Sequence, residues 1–306
     1  MNFNHKTVLL DETIDFLNIN STGCYLDATL GAGGLSEKIL ECLGSSGLLV
    51  SIDVDKDAIN FCKDKFKNEN RIKIYNSNFV FLDEILQKEN INLVDGICLD
   101  LGVSSYQIDC AERGFSYIHD GKLDMRMGQS GKSAYDVVNF YEESNLANII
   151  LKYGEDRNFK KIAHAICKFR KNKKIETTLE LVNIIESVVP RFKSGHSAKK
   201  TFQALRIEVN NELKNLDITL DKCINLLKPG GRLVVLSFHS LEDRIVKQKM
   251  RFWEKRCVCP SEYPICICNK RQQAKLINRQ VVIASDDEII ENSRSKSAKL
   301  RVCEKI

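Results

Sequence analysis

The sequence predicts an α/β fold, a doubly wound, mostly parallel sheet interrupted by an inserted all-helical domain. Three observations carry this. Short apolar runs alternate with helix-period segments as far as Asp100. About 100 residues of helix-period sequence with few strand signals follow. The alternation then resumes near Thr201 with an amphipathic helix, a further helix, a turn and another strand.

A strand-like segment leads into Asp27-Ala28-Thr29-Leu30-Gly31-Ala32-Gly33-Gly34-Leu35-Ser36, a glycine-rich turn that opens a helix. The next strand, Gly47 to Ile52, ends at Asp53. Glycines in such a turn let a ligand approach the main chain, and an acid after the second strand suits ribose hydroxyls. A dinucleotide fingerprint wants a third glycine where Ser36 stands, and an apolar strand where this one carries Asp27 and Thr29. S-adenosylmethionine suits the pattern better, having a ribose and a cationic amino acid but no pyrophosphate. By itself the glycine motif describes a structural turn equally well.

Asp57 to Phe66 reads as a helix, Ile72 to Tyr75 as a strand, Phe81 to Gln87 as a helix, and Leu93 to Leu99 as a strand running into Asp100. Tyr141 to Tyr153, Asn158 to Lys171 and Thr178 to Val189 read as helices of the insertion. From Thr201 an amphipathic helix places Phe202, Leu205, Val209 and Leu213 on one stripe. After a further helix to Leu227, Lys228-Pro229-Gly230-Gly231 makes a turn before the strand Arg232 to Phe238. The expected boundaries are 1–107 for the cofactor-binding part, 108–207 for an inserted substrate-recognition domain, and 208–306 for the second part with a basic C-terminal segment.

The net charge of +5 hides a division: −7 over residues 1–107, +6 over 108–207 and +6 over 241–306. An acidic nucleotide-binding half beside two basic segments points to a polyanionic partner; a merely solvated lysine-rich surface is the plainer alternative. Twelve cysteines follow a polar start, Met1 to Lys6, with no apolar signal core. No run of about 18 apolar residues occurs, so no membrane partner is expected. Reduced thiols or a metal site, in the cytoplasm, are the expectation.

Ligands of parallel sheets bind at the carboxyl ends of the strands. Three such ends are polar here: Gly31 to Gly34, Asp100-Leu101-Gly102-Val103-Ser104-Ser105, and Ser237-Phe238-His239-Ser240. Amino-group methyltransferases keep a short acid-, Asn- or Ser-initiated loop at the second place. An exocyclic base amine is a poor nucleophile because its lone pair is delocalised into the ring. The Asp100 carboxylate or a backbone carbonyl would accept a hydrogen bond from that amine and localise the pair, with positioning supplying most of the rest; alternatively Asp100 caps the turn. Phe238 would stack on the target base with His239 beside it, or else be core beside a turn residue. Ser240 and Asp243 have capping-box spacing, followed by Arg244, Lys247, Lys249 and Arg251. In the insertion, Arg157, Lys160, Lys161, Lys168, Arg170, Lys171, Lys173 and Lys174 fall within 18 residues, a density suited to phosphate contact. Cys257 and Cys259, then Cys266 and Cys268, form two Cys-x-Cys pairs that would converge as a structural zinc site.

These segments give the chain a resemblance that runs nearly end to end. It resembles the bacterial 16S rRNA cytosine-N4 methyltransferases, the small-subunit rRNA methyltransferase H family also called MraW. The matching segments are His5 to Glu12, the glycine turn, DGICLDLGVSS (Asp95 to Ser105), AERGFS (Ala111 to Ser116) and LDMRM (Leu123 to Met127). They continue through YGEDR (Tyr153 to Arg157), TFQALRIEVNNEL (Thr201 to Leu213), SFHSLEDRIVK (Ser237 to Lys247) and Ser295 to Arg301. The resemblance implies a class I methyltransferase sheet with a helical insertion, acting on a decoding-centre cytosine of 16S rRNA in the small subunit. It also implies cofactor contacts at Gly33, Gly34, Leu35, Asp53, Phe79, Asp100 and Gln107. Leu35 departs from the histidine usual there, so a side-chain contact is lost and a main-chain one survives. Tyr106 stands where the family tends to have proline. Other readings are an amine methyltransferase of DNA or another RNA, a non-catalytic RNA-binding assembly factor that keeps the fold, and an NAD-dependent enzyme disfavoured by Ser36 and the polar strand.

Overall fold

The structure is a computed structural model that describes residues 7–189, 196–260, 262–263 and 265–306. His5 and Lys6 of the first matching segment, the rest of the polar start, and Pro264 of the cysteine segment lie outside the described residues.

In chain order, α1 (Leu10–Leu17) precedes β1 (Cys24–Asp27), α2 (Gly34–Cys42), β2 (Leu48–Asp53), α3 (Lys56–Lys65), β3 (Ile72–Asn76), α4 (Leu82–Lys88) and β4 (Val94–Asp100). The four interior residues of β2 are all buried, as befits a parallel strand covered on both faces. Asp55 caps α3, its side chain accepting from Asp57 N, and Lys63 and Lys65 lie in the last turn. The helix expected from Phe81 starts as a 3₁₀ turn, Phe79–Phe81, and becomes α-helical at Leu82.

The insertion comprises α5 (Ser105–Asp109), α6 (Ala134–Phe140), α7 (Glu143–Gly154), α8 (Phe159–Phe169), α9 (Thr178–Glu186) and α10 (Lys199–Asn210). Reciprocal capping boxes start three of them: Ser104 with Gln107, Ser133 with Asp136, and Thr177 with Glu180. Ile162, Ala163, Ile166 and Cys167 of α8 are buried in a cluster with Leu146, Leu181 and Leu205. The stripe expected to run from Phe202 to Leu213 is broken. Asn211 takes the left-handed conformation (φ 52°, ψ 34°) and ends α10, so Leu213 belongs to α11 (Glu212–Leu226). Asparagine tolerates that conformation, and the break leaves Asn210 bonded to two loop peptides, donating to Met125 O and accepting from Met127 N, each at 2.8 Å. Val103–Glu212 is one compact unit; residues 7–102 with Leu213–Ile306 make the other.

The sheet unit is completed by β5 (Leu227–Ser237), α12 (Ser240–Glu254), β6 (Ala274–Leu276), α13 (Asp286–Glu291) and β7 (Lys299–Lys305). Its seven strands lie in the order β3-β2-β1-β4-β5-β7-β6. The five strands from β3 to β5 are mutually parallel, and β7 runs antiparallel to β5 and β6. The turn expected at Lys228 to Gly231 sits inside a strand. Leu227 pairs with Val94 and Arg232 with Gly96, so the intervening residues loop out as a bulge, with Gly230 at φ +80°. Alternation across the sheet divides the core in two. Leu26, Val50, Ile97 and Val235 pack on one face with Trp253, and Tyr25, Leu49, Cys98 and Val234 on the other with Leu300. The order reverses direction between β1 and β4, which opens a crevice at the strands' carboxyl ends.

Candidate active site at the strand ends

The residues after β1 are held by polar side chains that the sequence places inside a strand. Asp27 is fully buried; its Oδ2 accepts from Ser36 Oγ at 2.7 Å and its Oδ1 from Thr29 N at 3.1 Å, while Ser36 Oγ lies 2.9 Å from Ser51 Oγ. This acid therefore fixes α2 against the sheet and presents nothing to a ligand. Thr29 Oγ1 accepts from Asp100 N at 2.6 Å, which ties the end of β4 to the turn.

The glycines of the turn are required by conformation and by space. Gly31 (φ +50°) donates its N–H to Asp53 Oδ2 at 2.7 Å. Gly33 (φ +74°) caps α2, and a Cβ there would sit 2.8 Å from Phe66 Cε2 and 3.0 Å from Cys62 Sγ. On Gly34 a Cβ would collide with the Thr7 hydroxyl. Leu35 is buried in the apolar cluster with Val8 and Ile39, so only its main chain is left for a ligand.

Asp53 ends β2. Its Oδ1 accepts from Asp55 N at 2.8 Å and its Oδ2 from Gly31 N, and each oxygen keeps a lone pair for a further donor. Burial pushes its carboxyl up to about 6 against the pull of those two N–H groups. Phe79 follows β3 in the 3₁₀ turn that Asn78 caps, half-buried against the core. Asp100 ends β4, and its Oδ1 is buried without a hydrogen-bond partner. Burial, then the charges of Asp27 and Glu242, push this carboxyl up to about 7. Gly102 (φ +102°) follows, and a Cβ there would lie 3.6 Å from Phe238 Cδ2, which places that ring beside the loop after β4.

At the end of β5 the capping box lies one residue before the predicted one. Phe238 N and His239 N donate to Glu242 Oε2 at 2.9 and 3.2 Å, and His239 Nδ1 accepts from Glu242 N at 3.4 Å. His239 is extended (φ −141°, ψ 163°) and three residues before a glutamate long enough to reach back. Asp243, the expected partner of Ser240, instead receives Arg301 Nε at 2.6 Å and Lys299 Nζ at 3.3 Å. His239 is thus a helix cap, and its Nε2 lies 3.1 Å from Glu242 Oε1.

The sequence model of the MraW methylase family matches residues 2–306. The chain belongs to the MraW methylase family. Relatives named ribosomal RNA small subunit methyltransferase H include one from Caldicellulosiruptor saccharolyticus, 52% identical, with 99% of this chain and 100% of that one covered. One from Clostridium botulinum strain Kyoto is 50% identical with both chains fully covered. Another, from Lachnospira eligens, is 49% identical with 100% of this chain and 99% of that one covered. A solved structure, an rRNA methylase from Streptococcus thermophilus, overlaps loosely: 10% identity, TM-score 0.42, 97% of this chain and 93% of that one.

The remaining predicted residues of this MraW methylase fall elsewhere. Gln107 is buried in the helical unit, where it completes the α5 capping box with Ser104. Of the predicted phosphate contacts, Arg170 is used within that unit, its guanidinium donating to Val138 O and Tyr141 O. Lys173 pairs with Glu180, Lys174 Nζ lies 4.5 Å from the Phe140 ring centroid, and Lys171 is exposed. Lys160, Lys161 and Lys168 lie on the exposed side of α8, and Arg244 on the exposed side of α12.

Sequence reasoning missed a basic cavity of about 270 Å³ in the sheet unit, lined by none of the strand-end residues above. Lys247, Arg251, Arg279 and Arg301 converge on it with one acid, Glu254. Among the described residues Lys247, Arg251 and Arg279 make no ion pair. The run of cations after Asp243 signalled half of it; Arg279, from the segment after β6, carried no signal. Cys257, Cys259, Cys266 and Cys268 do converge, with all four sulfurs within 4.8 Å of one another. Among the described residues no helix is long and apolar enough to cross a membrane.

Proposed function

We propose that this MraW methylase uses S-adenosylmethionine to methylate the exocyclic N4 amine of a cytosine in the decoding centre of 16S rRNA, in the small ribosomal subunit. The single observation that carries the site assignment is Asp100 Oδ1: a buried acceptor with no partner, at the carboxyl end of β4 next to the switch point. A buried polar atom left unsatisfied in a folded protein is costly unless a ligand or substrate completes it. The assignment to small-subunit rRNA is supported by relatives of that name at half identity over their full lengths.

The residues fit the cofactor. The left-handed Gly31 and Gly33 keep the main chain bare, and Asp53 offers two lone pairs to ribose hydroxyls. Phe79 would flank the adenine. When bound, S-adenosylmethionine supplies an electrophilic methyl group and a positive charge. Asp100 would accept one amine hydrogen of the cytosine and draw the nitrogen lone pair out of conjugation; Phe238 would hold the ring face. Thr29 fixes the Asp100 main chain at the end of β4. Burial, with the charges of Asp27 and then Glu242, pushes the Asp100 carboxyl up to about 7 in the free protein. Lys160, Lys161, Lys168, Lys171, Lys173 and Lys174 of the helical unit, with Arg244 and the basic cavity of the sheet unit, would hold phosphates. The helical unit is read as the part that recognises substrate.

The test is transfer of labelled methyl to unmethylated small subunits, naked 16S rRNA and duplex DNA, followed by nuclease digestion and mass spectrometry. N4-methylcytidine at one decoding-centre position is the expected product. Label confined to DNA, or to another base or atom, would overturn the assignment.

A further inference from the structure

The loop between α12 and β6 holds a feature that methyl transfer does not use. It leaves the sheet unit after Glu254 and returns at Ala274, and its described apolar residues are largely exposed: Ile265 is 75% exposed, Ile267 68% and Tyr263 51%. A segment of this length without an apolar interior needs another source of order, and a cross-link or a metal is the usual one.

The four cysteines supply the geometry. Sγ of Cys257 lies 3.4 Å from that of Cys266 and 3.7 Å from that of Cys268. Cys266 lies 3.5 Å from Cys268 and 4.0 Å from Cys259. Four thiolates at about 2.3 Å from a tetrahedral zinc stand about 3.8 Å apart along each edge. The observed separations bracket that edge and are far longer than a disulfide bond of about 2.05 Å. Main-chain N–H groups also point at the sulfurs: Val258 N to Cys268, Cys259 N to Cys257 and Ile267 N to Cys259, each at 3.4 Å. Such donors offset the charge of thiolates and orient them as ligands. The flanks add Lys255-Arg256 on one side and Lys270-Arg271 on the other, four cations against the net dianion of a zinc tetrathiolate.

We infer that Cys257, Cys259, Cys266 and Cys268 bind one structural zinc ion, which folds the loop that joins α12 to β6. Four protein ligands leave no open position on the metal, so it orders the loop and takes no substrate. Its coordination and folding are linked, so stripping the metal unfolds this segment and leaves the sheet intact.

The full chain, purified without chelators under reducing conditions, is expected to contain close to one equivalent of zinc by elemental analysis. Cobalt(II) exchanged into the site should give the visible bands of a tetrahedral thiolate complex. Cys257→Ser and Cys268→Ser should each lose the metal, whereas Cys42→Ser, at an exposed cysteine outside the loop, should keep it. Tryptic cleavage at Arg256 and Lys270 should rise on chelation and fall back on adding zinc. Less than a tenth of an equivalent, both as isolated and after incubation with zinc and reductant, would overturn the inference. So would iron with acid-labile sulfide, or zinc that persists in both loop variants. These readouts are independent of methyl transfer, so they stand or fall apart from the function proposed above.

Discussion

Asp53 Oδ2 accepts the Gly31 N–H at 2.7 Å, so the acid at the end of β2 holds the left-handed glycine that opens the turn after β1. The carboxylate shapes the glycine turn, and under the proposed function it would also take the ribose hydroxyls. Its second N–H donor, Asp55, begins the cap of α3, so the same group also fixes the exit from β2.

Cofactor affinity should follow the charge of that group. The free-protein carboxyl titrates at about 6, so S-adenosylmethionine affinity should fall as pH drops through that value. Asp53→Asn points an amide donor at one of two N–H groups and should weaken binding at least about tenfold at pH 8, with little remaining pH dependence. Calorimetric titration of both proteins between pH 5 and 8 checks this; an equally steep pH profile in the variant would refute the assignment.

Gly33 and Gly131 both have positive φ, at +74° and +82°, but only Gly33 is hemmed in. Gly131→Ala should cost about 1 kcal/mol for strain alone. Gly33→Ala adds the collision with Phe66 and Cys62 and should cost about 2–4 kcal/mol and abolish cofactor binding. Urea unfolding of the two variants measures the difference, and equal losses would mean the turn is not packed as described.

Asp100 should be the residue whose removal helps the fold and ruins the chemistry. Its folded-state carboxyl lies at about 7, above the ordinary 3.8, so between those values the folded chain binds more protons than the unfolded one. This group's contribution to stability therefore falls as pH rises from about 4 to about 7. Asp100→Asn should be more stable than the parent by roughly 1–3 kcal/mol at pH 8, with little gain at pH 4. Turnover should drop at least about a hundredfold. Glu242→Gln, which removes one charge that raises Asp100, should move the acid limb of the pH–rate profile to lower pH. Wild-type turnover in Asp100→Asn would remove it from the mechanism.

RNA affinity should depend on the cavity beside α12. Replacing Lys247, Arg251 and Arg279 together with alanine should flatten the slope of log affinity against log salt by about 2–3. Lys171, Lys173 and Lys174 changed to glutamate should flatten it as well. Filter binding of 16S rRNA over a salt series reads both, and an unchanged slope would take the altered residues out of the interface.

Much of the strand-end site was legible because it is local. The glycine turn, Asp53 and Asp100 each follow an apolar run, and a parallel sheet gathers such ends into one crevice. What stayed hidden depends on partners distant in sequence. The Ser240–Asp243 spacing was plausible, yet Arg301, far along the chain, takes Asp243 and leaves the cap to His239 and Glu242. Arg170 looked like a phosphate contact and is engaged by two carbonyls. The continuous stripe to Leu213 failed because one left-handed asparagine outweighs an apolar period.

Helix α12 begins just after Phe238 and His239 and carries Lys247 and Arg251 of the cavity, all within one unbroken run from Ser240 to Glu254. At 1.5 Å per residue, those two cations stand about 12 and 18 Å along the axis from His239. Under the proposed function the helix would act as a ruler. A strand anchored at its cations would present to Asp100 only the nucleotide that lies a fixed distance away, so the position to be modified would be selected by measurement as well as by the shape of the base.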